Sequence, residues 1–149
     1  MATPTSSLGI ILAREDPGAP GTFESIGQIG DFTGPDFGHD AVETTSHEAN
    51  LNGRRRTFIA SLGKATQLSF PLWFDSSDVI HGDDAATGII GDGMSGTLRN
   101  FQMTLQDTGD FKISFAAFVA QAELNVPVEG VNTLNCSLQV SGNFTFDGF

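Results

Sequence analysis

Along the last third of the chain, apolar and polar residues alternate for longer than anywhere else. Leu134, Cys136, Leu138, Val140, Phe144 and Phe146 fall on even positions, with Asn135, Ser137, Gln139, Ser141 and Asn143 between them. A period of two over that length predicts a strand with one buried and one wetted face. The run before it, Phe111 to Val126, is less regular. Ile113 and Phe115 are odd, whereas Phe118, Ala120, Ala122, Leu124 and Val126 are even, so the phase flips near Ala116–Ala117. One extra residue there predicts a bulge or a sheet-to-sheet corner. Long, bent strands leave edges that something must cover.

The rest of the chain reads as shorter strands. Leu8–Ala13, Thr22–Ile29, Ala41–Thr45 and Thr57–Leu62 are strand candidates, separated by the turn REDPGAPG, a Gly/Pro-rich loop over 30–40 and the polar stretch SHEANLNGRRR. In Ala65–Phe74 the residues Leu68, Phe70, Leu72 and Phe74 oppose Gln67, Ser69 and Trp73, and Pro71 marks an edge or bulge because it has no N–H to give a ladder. Leu98–Leu105 and Phe111–Phe115 predict a hairpin around DTGD. One helix is expected within Ser76–Met94, capped by Ser76, Ser77 or Asp78, short because of its glycines and followed by a loop. Residues 1–7 read as a flexible lead. The sum is a mainly β, single-domain chain over residues 1–149 with one helix.

Composition narrows the function. A chain of 149 residues buries enough surface to fold without disulfide or metal staples. The lone Cys136 lies on the apolar phase of a strand and reads as an inert core residue. A net charge of −11 opposes tight binding to nucleic acid or anionic membrane. The charge is uneven: residues 1–50 hold eight acids and one base, while Arg54, Arg55 and Arg56 are consecutive. MATPTSSLGIILARED has no basic n-region, and LGIILA is too short for a signal core or a membrane span. The expectation is synthesis and assembly in a cytoplasm.

Local motifs of catalysis are weak. GDGMSG (91–96) has the spacing GxGxxG, but the strand-then-helix order of a dinucleotide site is reversed around it. His39, His47 and His81 are far apart in sequence. In HGDDAA the adjacent Asp83 and Asp84 read as a solvated acidic first helical turn rather than a metal cluster. No GxSxG elbow is present. The arginine triplet admits a solvated loop, a nucleic-acid contact opposed by the overall charge, or pairing with carboxylates of a neighbouring copy, to which Arg is suited by its bidentate fork.

Several segments in order resemble the siphophage major tail protein family, the tail tube subunit. These are FESIGQIGDFTGPDF, VETTSHEA with RRTFIASL, ATQLSFPLWFDSSD, and the closing LRNFQMTLQDTGDFKISFAAFVAQAELNVPVEGVNTLNCSLQVSG. The resemblance spans roughly residues 20–144. The three arginines depart from the family's pattern, in which small and acidic loop residues are unremarkable, and the extra C-terminal immunoglobulin-like domain of some relatives is expected to be absent.

The resemblance implies a β-sandwich or distorted β-barrel with a flanking helix, and a structural protein with neither catalysis nor cofactor. It implies hexameric rings stacked into a tube around a tape-measure protein, with a tail terminator and a distal tail protein as further partners. DNA would pass through the lumen without specific binding, no membrane is involved, and the place is the virion tail. A ring-contact loop is expected at Ser46, His47, Glu48, Asn50, Asn52, Arg54, Arg55 and Arg56. Two other readings are a tube protein of a contractile injection system and a monomeric β-sandwich binding module, the latter requiring exposed aromatics on one face.

Overall fold

The long alternation of the last third becomes strand β8, Thr133–Val140, in a computed structural model of the chain. The structure describes residues 10–27, 29–44, 56–64, 66–84, 88–105 and 111–147. Leu134, Cys136 and Leu138 are buried as the period of two requires. The strand stops earlier than expected: after Ser141, Gly142 turns the chain at φ +93°, and Phe144 and Phe146 belong to a separate short strand and its approach.

The other strands are β1 (Ile11–Glu15), β2 (Phe23–Ser25), β3 (His39–Glu43), β4 (Phe58–Gly63), β5 (Gln67–Trp73), β6 (Arg99–Leu105), β7 (Phe111–Asn125) and β9 (Thr145–Asp147). The strand expected over Thr22–Ile29 shrinks to three residues, and the hairpin turn DTGD lies outside the described residues. An antiparallel sheet runs β2-β1-β6-β7-β8-β5, with β9 on the first residues of β7. Pro71 lies in the edge strand β5, as its missing N–H demands. That edge is not left bare. Past β2 the chain crosses to it and bridges Ile29 to Leu72 and Thr33 to Ser69. The two ends of the sheet are thereby joined into a distorted barrel, whose interior is one cluster that includes Leu12, Phe70, Phe101, Phe115, Val119 and Leu138. Each such side chain contributes about 1.5–3 kcal/mol by leaving water.

The phase flip in β7 is real but sits later in the strand. Pairing with β8 runs Val119 to Leu138 and then Gln121 to Ser137, so Ala120 is the extra residue. Odd residues from Ile113 to Val119 face the core before it, and the half-buried Ala122 takes the core side after it. Phe118, which suggested an earlier flip, lies on the outer side of the sheet.

The helix lies at the far end of its expected span. Asp78 caps only a 3-10 turn, Val79–His81, and the α-helix α1 is Ile89–Ser95, so the loop precedes the helix instead of following it. Asp83 and Asp84 are therefore not in its first turn, which holds Asp92. The GxGxxG spacing is the helix itself. A Cβ on Gly91 would collide with the Asp84 carbonyl, and Gly96 closes the helix at φ +67°. The glycines serve close packing and a left-handed cap.

Two polar devices fix this layout. Asp92, fully buried, accepts from Arg14 Nε at 2.6 Å and Nη2 at 3.0 Å, and from Arg99 Nε at 3.1 Å. One carboxylate thus clasps α1 to β1 and β6. His81 is 2% exposed; its Nε2–H donates to the Ile26 carbonyl at 2.6 Å, and its Nδ1 accepts from the Asp75 N–H at 3.0 Å. Only the neutral ring with the proton on Nε2 satisfies both partners. Near it, Ser77 holds the Asp75 carboxyl below the ordinary carboxylate range through its hydroxyl and N–H.

Burial pushes the Cys136 thiol up to about 12. Native protein is expected to leave a disulfide reagent unreacted at pH 8, and to react once per chain in denaturant. Because the folded value lies above the unfolded one, near 8.5, the thiol costs no stability below that pH. Stability declines as pH rises above it, since the unfolded chain loses a proton the fold retains. A thiol titrating freely in native protein would contradict its core position.

Candidate assembly surfaces

β3 and β4 form a two-stranded hairpin apart from the barrel, with Val42 opposite Ile59, Ala41 opposite Ala60 and Glu43 opposite Phe58. Thr44 and Thr57 extend it through a 2.8 Å backbone bond and a 3.0 Å hydroxyl contact. Every residue of both strands is exposed. Alternation puts Ile59 and Val42 on one face and Phe58, Ala60 and Leu62 on the other. Leu62 is 86% exposed and Ile59 57%. Each face therefore carries uncovered apolar side chains, beside Ser61 on the first and Glu43 on the second. An isolated two-stranded hairpin is marginal in water at best.

The root of this arm is held firmly. Phe37 packs edge-on against Phe144 and Phe146 at ring-centroid distances of 5.0 and 5.4 Å, and Phe146 stacks on Phe111 of β7. Thr66 donates its hydroxyl to the Asp36 carbonyl at 2.7 Å, and Lys64 N–H donates to Gly38. Three of the chain's 13 phenylalanines thus tie the arm to the C-terminal strand.

Of the expected ring-contact loop, Ser46, His47, Glu48, Asn50, Asn52, Arg54 and Arg55 lie outside the described residues. Arg56 is described. It sits across the arm from Glu43, Nε to Oε1 at 3.8 Å, both side chains exposed, a pairing of small weight in water. The sequence reading passed over Val42, Phe58, Ile59 and Leu62. The signal was there: TFIASL is apolar at both parities, which suits neither a one-sided strand nor a loop.

A second surface is a strand edge. β6 pairs with β7 only as far as Arg99 opposite Ala117. Beyond that point β7 continues to Asn125 with β8 on one side and no described strand on the other. The tip of this β7–β8 hairpin carries exposed Leu124, Val126, Val128 and Val131. Among the described residues no cluster of three or more His, Cys, Asp or Glu is arranged to hold a metal, and no helix is long and apolar enough to cross a membrane.

No protein-family model matches the chain, and no curated protein does. Solved structures do. The tail of an empty gene transfer agent particle with C6 symmetry matches at TM-score 0.69 and 19% identity, covering 92% of this chain and 95% of that one. The SPP1 tail tube matches at TM-score 0.64 and 16% identity, covering 98% and 80%. The sheath–tube complex of the extracellular contractile injection system PVC, in its extended state, matches at TM-score 0.68 and 9% identity, covering 98% and 93%. Over nearly its whole length, then, this chain has the fold found in these tail and tube assemblies.

Proposed function

We propose that this chain is a structural subunit of a tail tube, a single-domain protein whose copies form hexameric rings that stack around a tape-measure protein. The observation that carries this reading is the likeness in fold, over nearly the full length of this chain, to subunits of tails and tubes. The C6 symmetry of one of these supports six copies per ring. The arm supports assembly independently, because a hairpin apolar on both faces finds stability only against other surfaces. Contacts that close make a ring and contacts that do not close make a filament.

In the finer reading the tube belongs to a non-contractile phage tail. It is assembled in the host cytoplasm, capped by a terminator, seated on a distal tail protein and traversed by the genome during ejection. It acts without catalysis or cofactor. The likeness to the PVC sheath–tube complex is of similar strength, so a tube within a contractile sheath is the second reading. Particles that carry a sheath would decide for it.

Electron microscopy of the purified protein, dilute and then concentrated, tests the proposal. Rings or hollow tubes of uniform width are expected. A protein that stays monomeric at every concentration, even with tape-measure and initiator proteins added, would return the choice to a binding module. Within the tube, the loop from Ser46 to Arg56 reaches a neighbouring copy. Charge reversal at Arg54, Arg55 and Arg56 to glutamate is expected to impair polymerisation, and tubes forming normally from that variant would remove the loop from the contact.

A further inference from the structure

The crossing segment that closes the barrel is held lightly. Among the described residues three backbone bonds tie it to β5: Gly30 N–H to the Pro71 carbonyl at 2.8 Å, Thr33 N–H to the Ser69 carbonyl at 3.0 Å, and Ser69 N–H to the Thr33 carbonyl at 3.1 Å. Phe32 stacks on Phe70 with ring centroids 5.7 Å apart. Where the segment leaves β2 it is fixed by the His81 ring, whose Nε2–H donates to the Ile26 carbonyl across 55 residues of chain. Gly27 makes that approach possible. Its φ is +120°, and a Cβ there would crowd Nε2 at 3.1 Å.

The other ring nitrogen is equally committed. Nδ1 accepts from the Asp75 N–H at 3.0 Å, and the ring is stacked on Phe74 in a place nearly closed to water. A proton on Nδ1 would set N–H against N–H there. The imidazolium therefore has no seat in the closed barrel. The charges nearby act in the opposite sense. Asp75 and Asp78 lie beside the ring in sequence, Asp83 and Asp84 follow it, and Glu24 and Asp31 stand on either side of the crossing. Asp92, on the helix in contact with the His81 turn, is taken by Arg14 and Arg99. The Asp75 carboxylate is exposed, and Ser77 keeps it charged well into acid. Attraction to these carboxylates favours a protonated ring, but only one that has turned outward.

We propose that His81 is a proton-operated latch on the closure of the barrel. Neutral, it pins the crossing segment at Ile26. Protonated, it turns toward the Asp75 carboxylate, drops the Ile26 carbonyl and lets the segment part from β5. An imidazole in an unfolded chain takes up its proton near about pH 6.5. The closed form is fully held above that pH and loses ground as pH falls through it, because the open form binds a proton that the closed one does not. Parting exposes the outer edge of β5, with the Ser69 N–H and the Pro71 carbonyl unpaired, to any strand that reaches it. The latch is a property of the subunit and does not depend on the tube reading.

Amide hydrogen exchange of the soluble subunit, followed by NMR from about pH 7.5 to about pH 5, tests it across the range in which histidine changes charge. Protection is taken relative to the unfolded chain at each pH. At Gly30, Thr33, Ser69 and Asp75 it should fall by about tenfold for each unit below the titration, while amides of the β7–β8 ladder change by less than about threefold. The ring nitrogen shifts should turn to those of the cation over the same interval. His81→Gln supplies an amide that donates to Ile26 and accepts from Asp75 without titrating, and protection at the four amides should then be independent of pH. Protection lost evenly over ladder and crossing would overturn the latch. So would a ring that becomes cationic while the four amides stay protected, or one that stays neutral and fully protected at the acid end. If His81→Gln does not fold, the ring shifts of the native protein, set against the two groups of amides, decide by themselves.

Discussion

Asp92→Asn is expected to lower the stability of the subunit by about 3–5 kcal/mol, the usual cost of removing one partner from a buried ionic cluster. The side chain keeps its shape and loses its charge, so the effect isolates the electrostatics. Arg14 is 4% exposed and would remain a guanidinium in the core with its bidentate acceptor gone. Arg99, less buried, keeps at most the uncharged amide oxygen as acceptor, while the amide NH2 is set against the Nε–H of Arg14. For a chain of this size the loss corresponds to a fall in Tm of about 10 °C or more. Thermal or urea unfolding of the soluble subunit reads it directly. The companion variant Arg14→Met/Asp92→Leu/Arg99→Met removes the cluster as a whole and is expected to recover most of the loss, since apolar replacements of similar volume relieve the desolvation of all three groups. If Asp92→Asn melts within a degree or two of the native protein, the clasp carries no net weight.

The second large effect is on assembly. Ile59→Asp and Leu62→Asp place a charge on opposite faces of the arm, at positions 57% and 86% exposed in the isolated subunit. Stability should move by about 0.5 kcal/mol or less in each case, as for ordinary surface substitutions. Polymerisation should nevertheless be blocked by either change. Each contact would lose the burial of a large aliphatic side chain, about 1.5–3 kcal/mol, and would desolvate a carboxylate as well. The loss recurs at every subunit of a ring and every ring of a tube. Sedimentation and electron microscopy of the two single variants separate the faces: a variant that polymerises like the native protein has its altered face open to solvent in the tube.

How far the chain can be read without its coordinates depends on how one-sided each element is. β8 was legible because Leu134, Cys136 and Leu138 alternate with polar residues, although on the other side only Asn135 is exposed while Ser137 is buried and Gln139 half-buried. β7 was legible in kind but not in place. Phe118 on the outer side imitates a core position, and alanines at 116, 117, 120 and 122 sit equally well on either, so the flip seemed to come three residues before its true site at Ala120. The closure of the barrel rests on lone bridges at Ile29 and Thr33, which produce no period at all. The helix start was misplaced because propensity argues against a segment holding Gly91 and Gly93, whereas close approach to the 83–84 backbone requires glycine at position 91. Arg14 did carry a signal. It shares the parity of Leu12 on a strand, and an arginine at a core position requires a buried acid somewhere. Which acid answers it, 78 residues away, is decided by tertiary packing. The arm was the least legible feature, because a hairpin apolar on both faces has no intramolecular reason to be so.

The composition of α1 has a consequence for the order of folding. A seven-residue helix holding two interior glycines has almost no tendency to form alone, because nucleation is unfavourable and each glycine adds about 1 kcal/mol against it. Its order is supplied from outside: by the 82–84 backbone against which Gly88 and Gly91 close, by Val119 and Ala122 beneath Gly93, and by two arginines that meet only once β1 and β6 are paired. The helix is therefore expected to follow the sheet in time as well as in cause. Its docking, which brings Asp92 between Arg14 and Arg99, requires that strands distant in sequence have found their register.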